Sequence, residues 1–276
     1  MGIRGVEVLN PVSIEASVLR TSLIPGALAV AQHNAAHGQG DLRLFEIGNV
    51  FELKSEVPTN NHADYGEEER LLILLSGKIA PEQYGTEHRQ VDIFDLKGEV
   101  GSLLAKFCLD KYRFISYSTA SALIESALAV EINGTYAGLL GKISKSIAER
   151  FDIGDAVFVC ELNVSVIHRN WDTEKKLKAI PRFPGVRRDL AFVLDSDVSH
   201  EVVEQTIREA GGNLLANVVL FDLFQGGQLG VGKKSLAYSL EFQPLDRTLV
   251  DREVDAEIQR IVNRVEQTCK ARLRAS

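Results

Sequence analysis

The segment Asp189-Leu-Ala-Phe-Val-Leu194 is short and apolar, and it predicts a buried β-strand. A helix is expected after it, because Ser199 can cap a helix start and Gly211-Gly212 would end one. Further strands are predicted at residues 218–224, 235–242 and 269–274. Between the last two strands, Thr248 or Asp251 can cap a second helix. This order of strand, helix, strand, strand, helix and strand is that of a ferredoxin-like domain.

The first part of the chain predicts a mixed sheet with helices. Apolar runs bounded by turn residues predict buried strands at residues 42–47, 71–75, 127–132 and 157–162. Asn133-Gly134 is a typical two-residue hairpin turn. Apolar residues recur at helical spacing over residues 93–107, and Pro25 is well placed to open another helix. Residues 54–69 are polar and unpatterned, so they predict a mobile hairpin loop.

A polar stretch that ends in prolines predicts the boundary between two modules. Residues 169–178 are mostly polar and lead into Ala179-Ile-Pro-Arg-Phe-Pro184. With 276 residues, the chain favours two domains over one. We therefore predict a first module at residues 1–166, a linker at 167–181 and a second module at 182–276.

Charge and composition limit the class of protein. A net charge of -7 argues against a protein whose whole surface attracts nucleic acid, so any RNA contact is expected to be local. The chain lacks an apolar run of the ~20 residues that span a bilayer and lacks a signal-peptide pattern, and it is expected in the cytoplasm with no membrane partner. Cys108, Cys160 and Cys269 lie far apart in apolar surroundings and are expected to be buried thiols.

Strand residues alternate between the two faces of a sheet, so each face of the second module can be sorted. One parity is apolar and is expected to pack under the helices: Leu190, Phe192, Leu194, Val219, Phe221, Leu223, Leu236, Tyr238, Leu240, Phe242, Ala271 and Leu273. The other parity is predicted to form an open face: Ala191, Val193, Leu220, Asp222, Phe224, Ser235, Ala237, Ser239, Glu241, Lys270, Arg272 and Arg274.

The predicted open face has side chains that suit single-stranded RNA. An unpaired base can stack on Phe224, and Asp222 can accept hydrogen bonds from base N–H groups. Lys270, Arg272 and Arg274 can reach phosphates or stack as flat cations. A solvated sheet face without a ligand is equally compatible with this pattern.

Three further features allow more than one interpretation. Arg187-Arg188 and Lys233-Lys234 can be phosphate contacts or solvated strand ends. The glycine-rich segment 226–232 lies between strands rather than at a helix start, so it predicts a flexible hairpin loop rather than a phosphate-binding loop. His33 and His37 have the spacing of a metalloprotease helix but lack its glutamate, and we expect no metal site there.

Several long motifs are recognisable in both modules. In the first module they are Asn10-Pro-Val-Ser-Ile-Glu15, Val18-Leu-Arg-Thr-Ser-Leu-Ile-Pro-Gly26 and Asp41-Leu-Arg-Leu-Phe-Glu-Ile-Gly-Asn-Val-Phe51. In the second they are Pro181-Arg-Phe-Pro-Gly-Val-Arg-Arg-Asp-Leu190, Leu220-Phe-Asp-Leu-Phe-Gln-Gly226, Gly232-Lys-Lys-Ser-Leu-Ala-Tyr-Ser-Leu-Glu-Phe-Gln-Pro244 and Asp246-Arg-Thr-Leu249. Together they resemble the C-terminal half of the bacterial phenylalanyl-tRNA synthetase β-subunit family, over nearly all of the chain.

The resemblance implies an α+β fold with a mixed or antiparallel class II synthetase-like core, followed by a βαββαβ anticodon-binding domain. It also implies a heterotetramer of two catalytic α and two β subunits that attaches phenylalanine to its tRNA with ATP and magnesium. Carried over position by position, the family's anticodon contacts fall on Asp222, Phe224, Ser235 and Arg274. The family often has Tyr at the position of Phe224, so a hydrogen bond from a hydroxyl is lost there.

The resemblance further implies that the first module is catalytically inactive. Class II sites clamp ATP with two arginines, whose guanidinium groups hold phosphates. The first position matches near Gly48-Asn-Val-Phe-Glu52, which offers an acid, and the strand Phe158-Val-Cys-Glu-Leu-Asn-Val164 has no arginine. We therefore predict no catalytic, cofactor or metal-binding residue in this chain. The family's editing and magnesium sites are expected outside it, and Met1-Gly-Ile is interpreted as an artificial start.

The leading hypothesis is a binding module that docks on the catalytic α subunit and holds the anticodon region of phenylalanine tRNA. One rival is a stand-alone adenylate-forming enzyme that uses the first module. Another is a purely structural subunit in which neither module touches RNA. Pyrophosphate exchange by the purified chain tests the first rival, and tRNA binding after deletion of the second module tests the other.

Overall fold

A computed structural model of the chain describes residues 4–55, 61–85, 88–117, 122–172, 181, 183–244 and 247–274. The chain divides into two compact units, Met1–Lys176 and Leu177–Ser276. Each unit has its own antiparallel sheet and its own hydrophobic clusters. The predicted α+β class is therefore confirmed.

The first unit is built on a six-stranded sheet. Its described helices are α1 (Ile24–Ala36), α2 (Ile93–Lys106), α3 (Lys145–Arg150) and α4 (Val164–Asn170). Its strands are β1 (Leu42–Leu53), β2 (Tyr65–Ser76), β3 (Tyr112–Ser116), β4 (Ile124–Ile132), β5 (Thr135–Ile143) and β6 (Val157–Asn163). The strands lie in the order β1-β2-β6-β5-β4-β3, and neighbouring strands are antiparallel.

Both faces of the six-stranded sheet carry helices. Leu72 and Leu74 of β2 pack in a cluster with α1, whereas Leu75 packs in a second cluster with α2 and α4. Neighbouring residues of a strand point to opposite faces, so a strand buried on both sides needs apolar residues at every position. This explains the continuous apolar run of residues 71–75.

Two local predictions for the first unit are confirmed. Pro25 lies in the first turn of α1, where its missing N–H removes no helical hydrogen bond. Asn133 and Gly134 connect β4 to β5 with φ values of +49° and +75°, as a tight hairpin turn requires.

The polar segment 54–69 differs from its prediction as a loop. Residues 65–69 form the first part of β2 and pair with residues 49–53 of β1. Their backbone groups extend the ladder of a long hairpin, and this pairing does not depend on apolar side chains. Residues 56–60 lie outside the described part of the chain.

The predicted linker begins with helical residues. Asn163 caps α4 by accepting a hydrogen bond from the Val166 N–H at 3.2 Å, and Ile167 is buried in the core. Residues 167–170 therefore belong to the first unit. Residues 173–180 lie outside the described part of the chain, and the other predicted boundaries stay predictions.

The second unit has the predicted ferredoxin-like order. Its elements are β7 (Val186–Asp195), α5 (His200–Gly211), β8 (Leu215–Phe224), β9 (Lys233–Phe242), α6 (Asp251–Cys269) and β10 (Arg272–Leu273). The strand order is β10-β7-β9-β8, with antiparallel neighbours. Both helices contribute to one hydrophobic cluster with Phe192, Tyr238 and Leu240. The helices therefore pack on the sheet face that these three residues share.

Side-chain contacts fix α5 on the sheet. Ser199 accepts a hydrogen bond from the Val202 N–H at 3.3 Å and Gly212 ends the helix region at φ +59°, so the predicted cap and stop are confirmed. The His200 ring lies 3.0 Å from the Tyr238 hydroxyl and 3.1 Å from the Glu204 carboxylate. The hydrogen bond with His200, supported by Arg208, lowers the pKa of Glu204 to about 2.

The predicted start of α6 was wrong. The N-cap is Val250, and Asp251 is the first helical residue. Glu253 supplies the missing cap, because its carboxylate accepts from the Val250 N–H at 3.3 Å. The same carboxylate accepts hydrogen bonds from both terminal nitrogens of the Arg247 guanidinium group, at 2.6 and 2.7 Å.

The expectation that the cysteines are buried thiols is met in part. Cys160 and Cys269 are buried, and burial raises the pKa of the Cys160 thiol. Cys108 is only half-buried. None of the described helices is long and apolar enough to cross a membrane.

Candidate RNA-binding face

The sheet surface opposite α5 and α6 is called the open face here, and strand register decides which residues lie on it. One row of directly paired residues crosses all four strands: Arg272, Val193, Ser235 and Phe224. The next row contains Arg274, Ala191, Ala237 and Asp222. Arg274 joins this row because its N–H donates to the Ala191 carbonyl at 2.8 Å.

These two rows bring together five of the six predicted contact residues: Asp222, Phe224, Ser235, Arg272 and Arg274. The central positions hold small side chains, and Ser235 and Ala237 are buried. Phe224 and Asp222 lie on strand β8 at one edge, and the two arginines lie at the opposite edge. With strands about 4.8 Å apart, the edges are separated by roughly 14 Å. The open face therefore has an aromatic and acidic edge and a basic edge.

The parity predicted for β8 was wrong in its first part. Val219 lies opposite Ser239 on the open face and is 47% exposed, although it was expected under the helices. Leu220, expected on the open face, lies opposite Tyr238 and packs against the core. Leu223 lies opposite Leu236 on the helix side but is 52% exposed.

A β-bulge restores the predicted faces for the end of β8. The register slips between Leu220 and Asp222, which leaves Phe221 as the extra residue. With unbroken alternation and no slip, Asp222 and Phe224 would share the core-facing side of Leu220. The bulge therefore turns them to the open face, where Phe224 is 39% exposed. Nothing in the apolar pattern of β8 distinguishes Phe221 as the residue left unpaired.

Lys270 was wrongly placed in the last strand. Helix α6 continues to Cys269, and Lys270 ends it in the left-handed conformation at φ +49°. Val265 and Cys269 are buried at helical spacing, so packing against the core keeps this segment helical. Strand β10 consists of Arg272 and Leu273 alone.

The two arginines of the first basic pair lie on opposite faces of the sheet. Arg187 lies opposite Glu241 on the open face, and its Nε donates to the Ser239 hydroxyl. Its neighbour Arg188 binds Asp251 at 3.1 Å on the helix side. The sequence pattern alone leaves two roles open for Arg187, although its parity with Asp189 and Ala191 predicts that it lies on this face.

In the second basic pair, both ammonium groups have local partners. Lys233 forms an ion pair with Asp195 at 2.7 Å. Lys234 is buried and donates to the Ser196 carbonyl at 3.0 Å. These contacts favour a structural role at the strand end over phosphate binding.

In the first unit, the two positions that match the ATP clamps of class II sites make contacts within the unit. Arg20 lies against Gly48 and donates to the Glu46 carboxylate at 2.7 Å and to the Asn49 carbonyl at 2.8 Å. On β6, the Glu161 carboxylate accepts from the Leu23 N–H at 2.6 Å. A guanidinium group is therefore present near Gly48, but an acid and a carbonyl already bind it, and the β6 carboxylate holds the start of α1.

Family models match both units. The model "Phenylalanyl tRNA synthetase beta chain CLM domain" matches residues 2–164, and the model "Ferredoxin-fold anticodon binding domain" matches residues 181–274. Topology and family model together define the second unit as a ferredoxin-fold anticodon-binding domain.

Curated relatives extend the likeness over nearly the whole chain. The phenylalanine–tRNA ligase beta subunit of Salinibacter ruber is 37% identical over 276 residues, which is 98% of this chain and 33% of that protein. The beta subunits of Clostridium tetani and Symbiobacterium thermophilum are 32% and 34% identical, over 98% and 97% of this chain and 32% and 29% of theirs. The chain belongs to the phenylalanyl-tRNA synthetase beta-chain family and spans about a third of the length of these relatives.

Among solved structures, the pyrrolysyl-tRNA synthetase of Desulfitobacterium hafniense aligns with 55% of this chain and 49% of its own. The TM-score is 0.41 and the identity is 14%.

Proposed function

We propose that this chain is a non-catalytic part of a phenylalanine–tRNA ligase β subunit and that its open face binds the anticodon region of phenylalanine tRNA. The observation that carries the proposal is the pair of adjacent rows that places Phe224, Asp222, Ser235, Arg272 and Arg274 on one surface. An aromatic ring, a carboxylate and two guanidinium groups on one sheet face match the chemistry of unpaired bases and phosphates.

Each edge of the open face has a separate role in this proposal. The Phe224 ring stacks on a base, and Asp222 accepts a hydrogen bond from a base edge. Arg272 and Arg274, about three strand spacings away, neutralise phosphates. The small side chains of Ala191 and Ala237 leave room for nucleotides to lie close to the sheet.

The first unit is proposed to dock on the catalytic α subunit of an α2β2 enzyme, since its relatives are named as β subunits. An apolar groove of about 630 Å³ lies between edge strand β1 and helices α2 and α4. Phe45 and Ile47 line it and are 74% and 56% exposed, and Trp171 lines its other side. Exposed apolar surface of this kind is typical of protein interfaces.

Catalysis is proposed to belong to the α subunit, with ATP and magnesium used by the complete enzyme in the cytoplasm. Two contacts in the first unit support an inactive module. Arg20 is bound by Glu46 and by the Asn49 carbonyl, so its guanidinium group is engaged within the unit. Glu161 serves to hold the start of α1.

Binding of a phenylalanine tRNA transcript by the α–β complex tests the RNA proposal. Phe224→Ala is expected to weaken binding by roughly 5- to 100-fold, because stacking of one base on an aromatic ring is lost. Phe94→Ala removes an equally large, exposed ring from the first unit, outside the apolar groove, and serves as the control. Equal affinity of Phe224→Ala and wild type would contradict the proposal and favour a purely structural chain.

Co-purification with the catalytic subunit tests the docking proposal. Phe45→Glu places a charge in the apolar groove and is expected to reduce recovery of the α subunit. Phe94→Glu is the control, because Phe94 is 72% exposed but does not line the groove. Equal recovery of the α subunit with both variants would refute docking through this groove. Robust pyrophosphate exchange by the purified chain alone would refute the inactive-module proposal.

A further inference from the structure

We propose that Gly226 is a positioning residue for base stacking, because the absence of a side chain there creates the space in which the Phe224 ring lies. This inference rests on the proposed function of the open face. It assigns a role to the first glycine of the segment 226–232, whose composition predicts only a flexible loop.

The Phe224 ring lies directly beside the Gly226 backbone. A Cβ atom built on Gly226 would lie 2.7 Å from Cζ of the ring and 3.1 Å from one Cε. Carbon atoms attract each other at separations near 3.5–4.0 Å, and shorter separations are repulsive. Any residue other than glycine at position 226 therefore forces the ring to move.

The backbone of Gly226 does not itself require glycine. Its φ of −166° and ψ of 159° are extended values that all residues adopt. Gly230 and Gly232, by contrast, have φ values of +94° and +74°, where glycine is favoured for conformational reasons. The presence of glycine at position 226 is therefore explained by the space that the ring occupies, and not by the backbone conformation.

Gly227 offers a matched comparison. A Cβ atom built there meets no other atom within 4 Å. The two glycines are adjacent in the same loop, so alanine substitutions change the unfolded chain to the same extent. They differ in whether the new methyl group meets the Phe224 ring.

The expected consequence is a loss of position rather than of folding. The atoms that meet the added Cβ belong to the far edge of a ring in a residue that is 39% exposed. The ring can therefore rotate toward solvent at small cost, while the core on the other side of the sheet is unchanged. A rotated ring no longer lies in the row of Ser235 and Val193, where stacking is proposed.

The test is a double-mutant cycle on the affinity of the α–β complex for a phenylalanine tRNA transcript. The variants are Gly226→Ala, Phe224→Ala and the two combined, with Gly227→Ala as the control. Gly226→Ala is expected to weaken binding about fivefold or more, and Gly227→Ala by less than about twofold. In the Phe224→Ala background, Gly226→Ala is expected to have no further effect, since the ring through which it acts is gone.

Two outcomes would overturn the inference while the RNA proposal stands. One is wild-type affinity of Gly226→Ala when Phe224→Ala weakens binding. The other is an additive effect of the two substitutions, which would show that Gly226 acts through folding or another contact. If Phe224→Ala itself has no effect, the proposed function fails and the role of Gly226 in it fails as well.

A measurement without RNA tests the geometry separately. Protons beside an aromatic ring experience its magnetic ring current, so the Gly226 Hα resonances of this chain are expected at shifted positions. Phe224→Leu should return them to ordinary positions, and Phe45→Leu should not. Gly226 Hα resonances that do not respond to Phe224→Leu would refute the contact, whatever the tRNA affinities are.

Discussion

The two sheets of this chain differ in how their faces are used. The six-stranded sheet has helices on both faces, and its strand β2 is apolar at every position from 71 to 75. The four-stranded sheet has α5 and α6 on one face, and its strand β9 alternates small residues (serine or alanine) and large residues (leucine or tyrosine) from 235 to 240. A continuous apolar strand indicates a structural core, whereas alternation indicates a face that is left for other contacts.

The largest expected difference between the sheets is in stability. Leu72→Ala removes a fully buried side chain from the first sheet and is expected to cost roughly 2–5 kcal/mol of unfolding free energy. Val219→Ala on the open face of the second sheet should cost about 1 kcal/mol or less, because Val219 is half exposed. Urea unfolding followed by Trp171 fluorescence reports on the first unit, and circular dichroism reports on both. Similar losses for the two variants would contradict the comparison.

The next expected effect concerns charge on the open face. Arg272→Gln and Arg274→Gln should each reduce the slope of log affinity against log salt concentration by roughly one, since each removes a proposed phosphate contact. Lys142→Gln and Lys145→Gln remove cations from the first unit and should leave the slope unchanged. Filter binding of phenylalanine tRNA over a salt series measures both sets. A lower slope for the lysine variants would place RNA on the first unit as well.

A smaller effect is expected for a substitution on the helix side of the second sheet, which should lower stability without changing tRNA affinity. Ser199→Ala removes the N-cap of α5 and is expected to cost about 1 kcal/mol of stability, measured by thermal unfolding. It should leave tRNA affinity within about twofold of wild type, because Ser199 caps a helix on the opposite side of the sheet. The matching variant in the first unit is Asn163→Ala, which removes the cap of α4 and is expected to cost a similar amount.

The smallest effect depends on pH. Glu204 has its pKa lowered from 4.5 to about 2, chiefly by the hydrogen bond with His200. A carboxylate with a lowered pKa in the folded state contributes stability above pH 4.5 and loses this contribution as the pH falls toward 2. Glu204→Gln is expected to cost about 1 kcal/mol or less at neutral pH and to flatten the loss of stability between pH 4.5 and 2. Glu209→Gln, an exposed substitution on the same helix, should retain the full acid dependence.

Much of the fold was predictable from local patterns. Ser199 and Gly211-Gly212 indicated the ends of α5, and Asn133-Gly134 indicated a hairpin, because capping and turn geometry depend on a few neighbouring residues. Predictions failed where packing overrides local preference. The segment containing Lys270 stays helical because Val265 and Cys269 are buried, and residues 65–69 form a strand because a long partner strand pairs with them.

The residues of the candidate site were predictable from the sequence, but the path of strand β8 was not. Its residues were assigned from alternation and from resemblance to a family, and Asp222 and Phe224 do lie with Ser235, Arg272 and Arg274. The assumption of unbroken alternation in β8 was wrong, and the bulge at Phe221 compensated for it. A bulge is an extra residue relative to a partner strand, so a single strand read alone does not reveal it.

The sequence by itself determined the order of helices and strands in the second unit and the types of side chain available to its open face. These follow from hydrophobic periodicity and from capping and turn residues, which act over a few positions. Only the tertiary structure decided which side chains share a row, where the register slips, and that the Phe224 ring lies against Gly226. Such contacts join residues that meet through strand pairing and loop closure, and no local pattern along the chain encodes those distances.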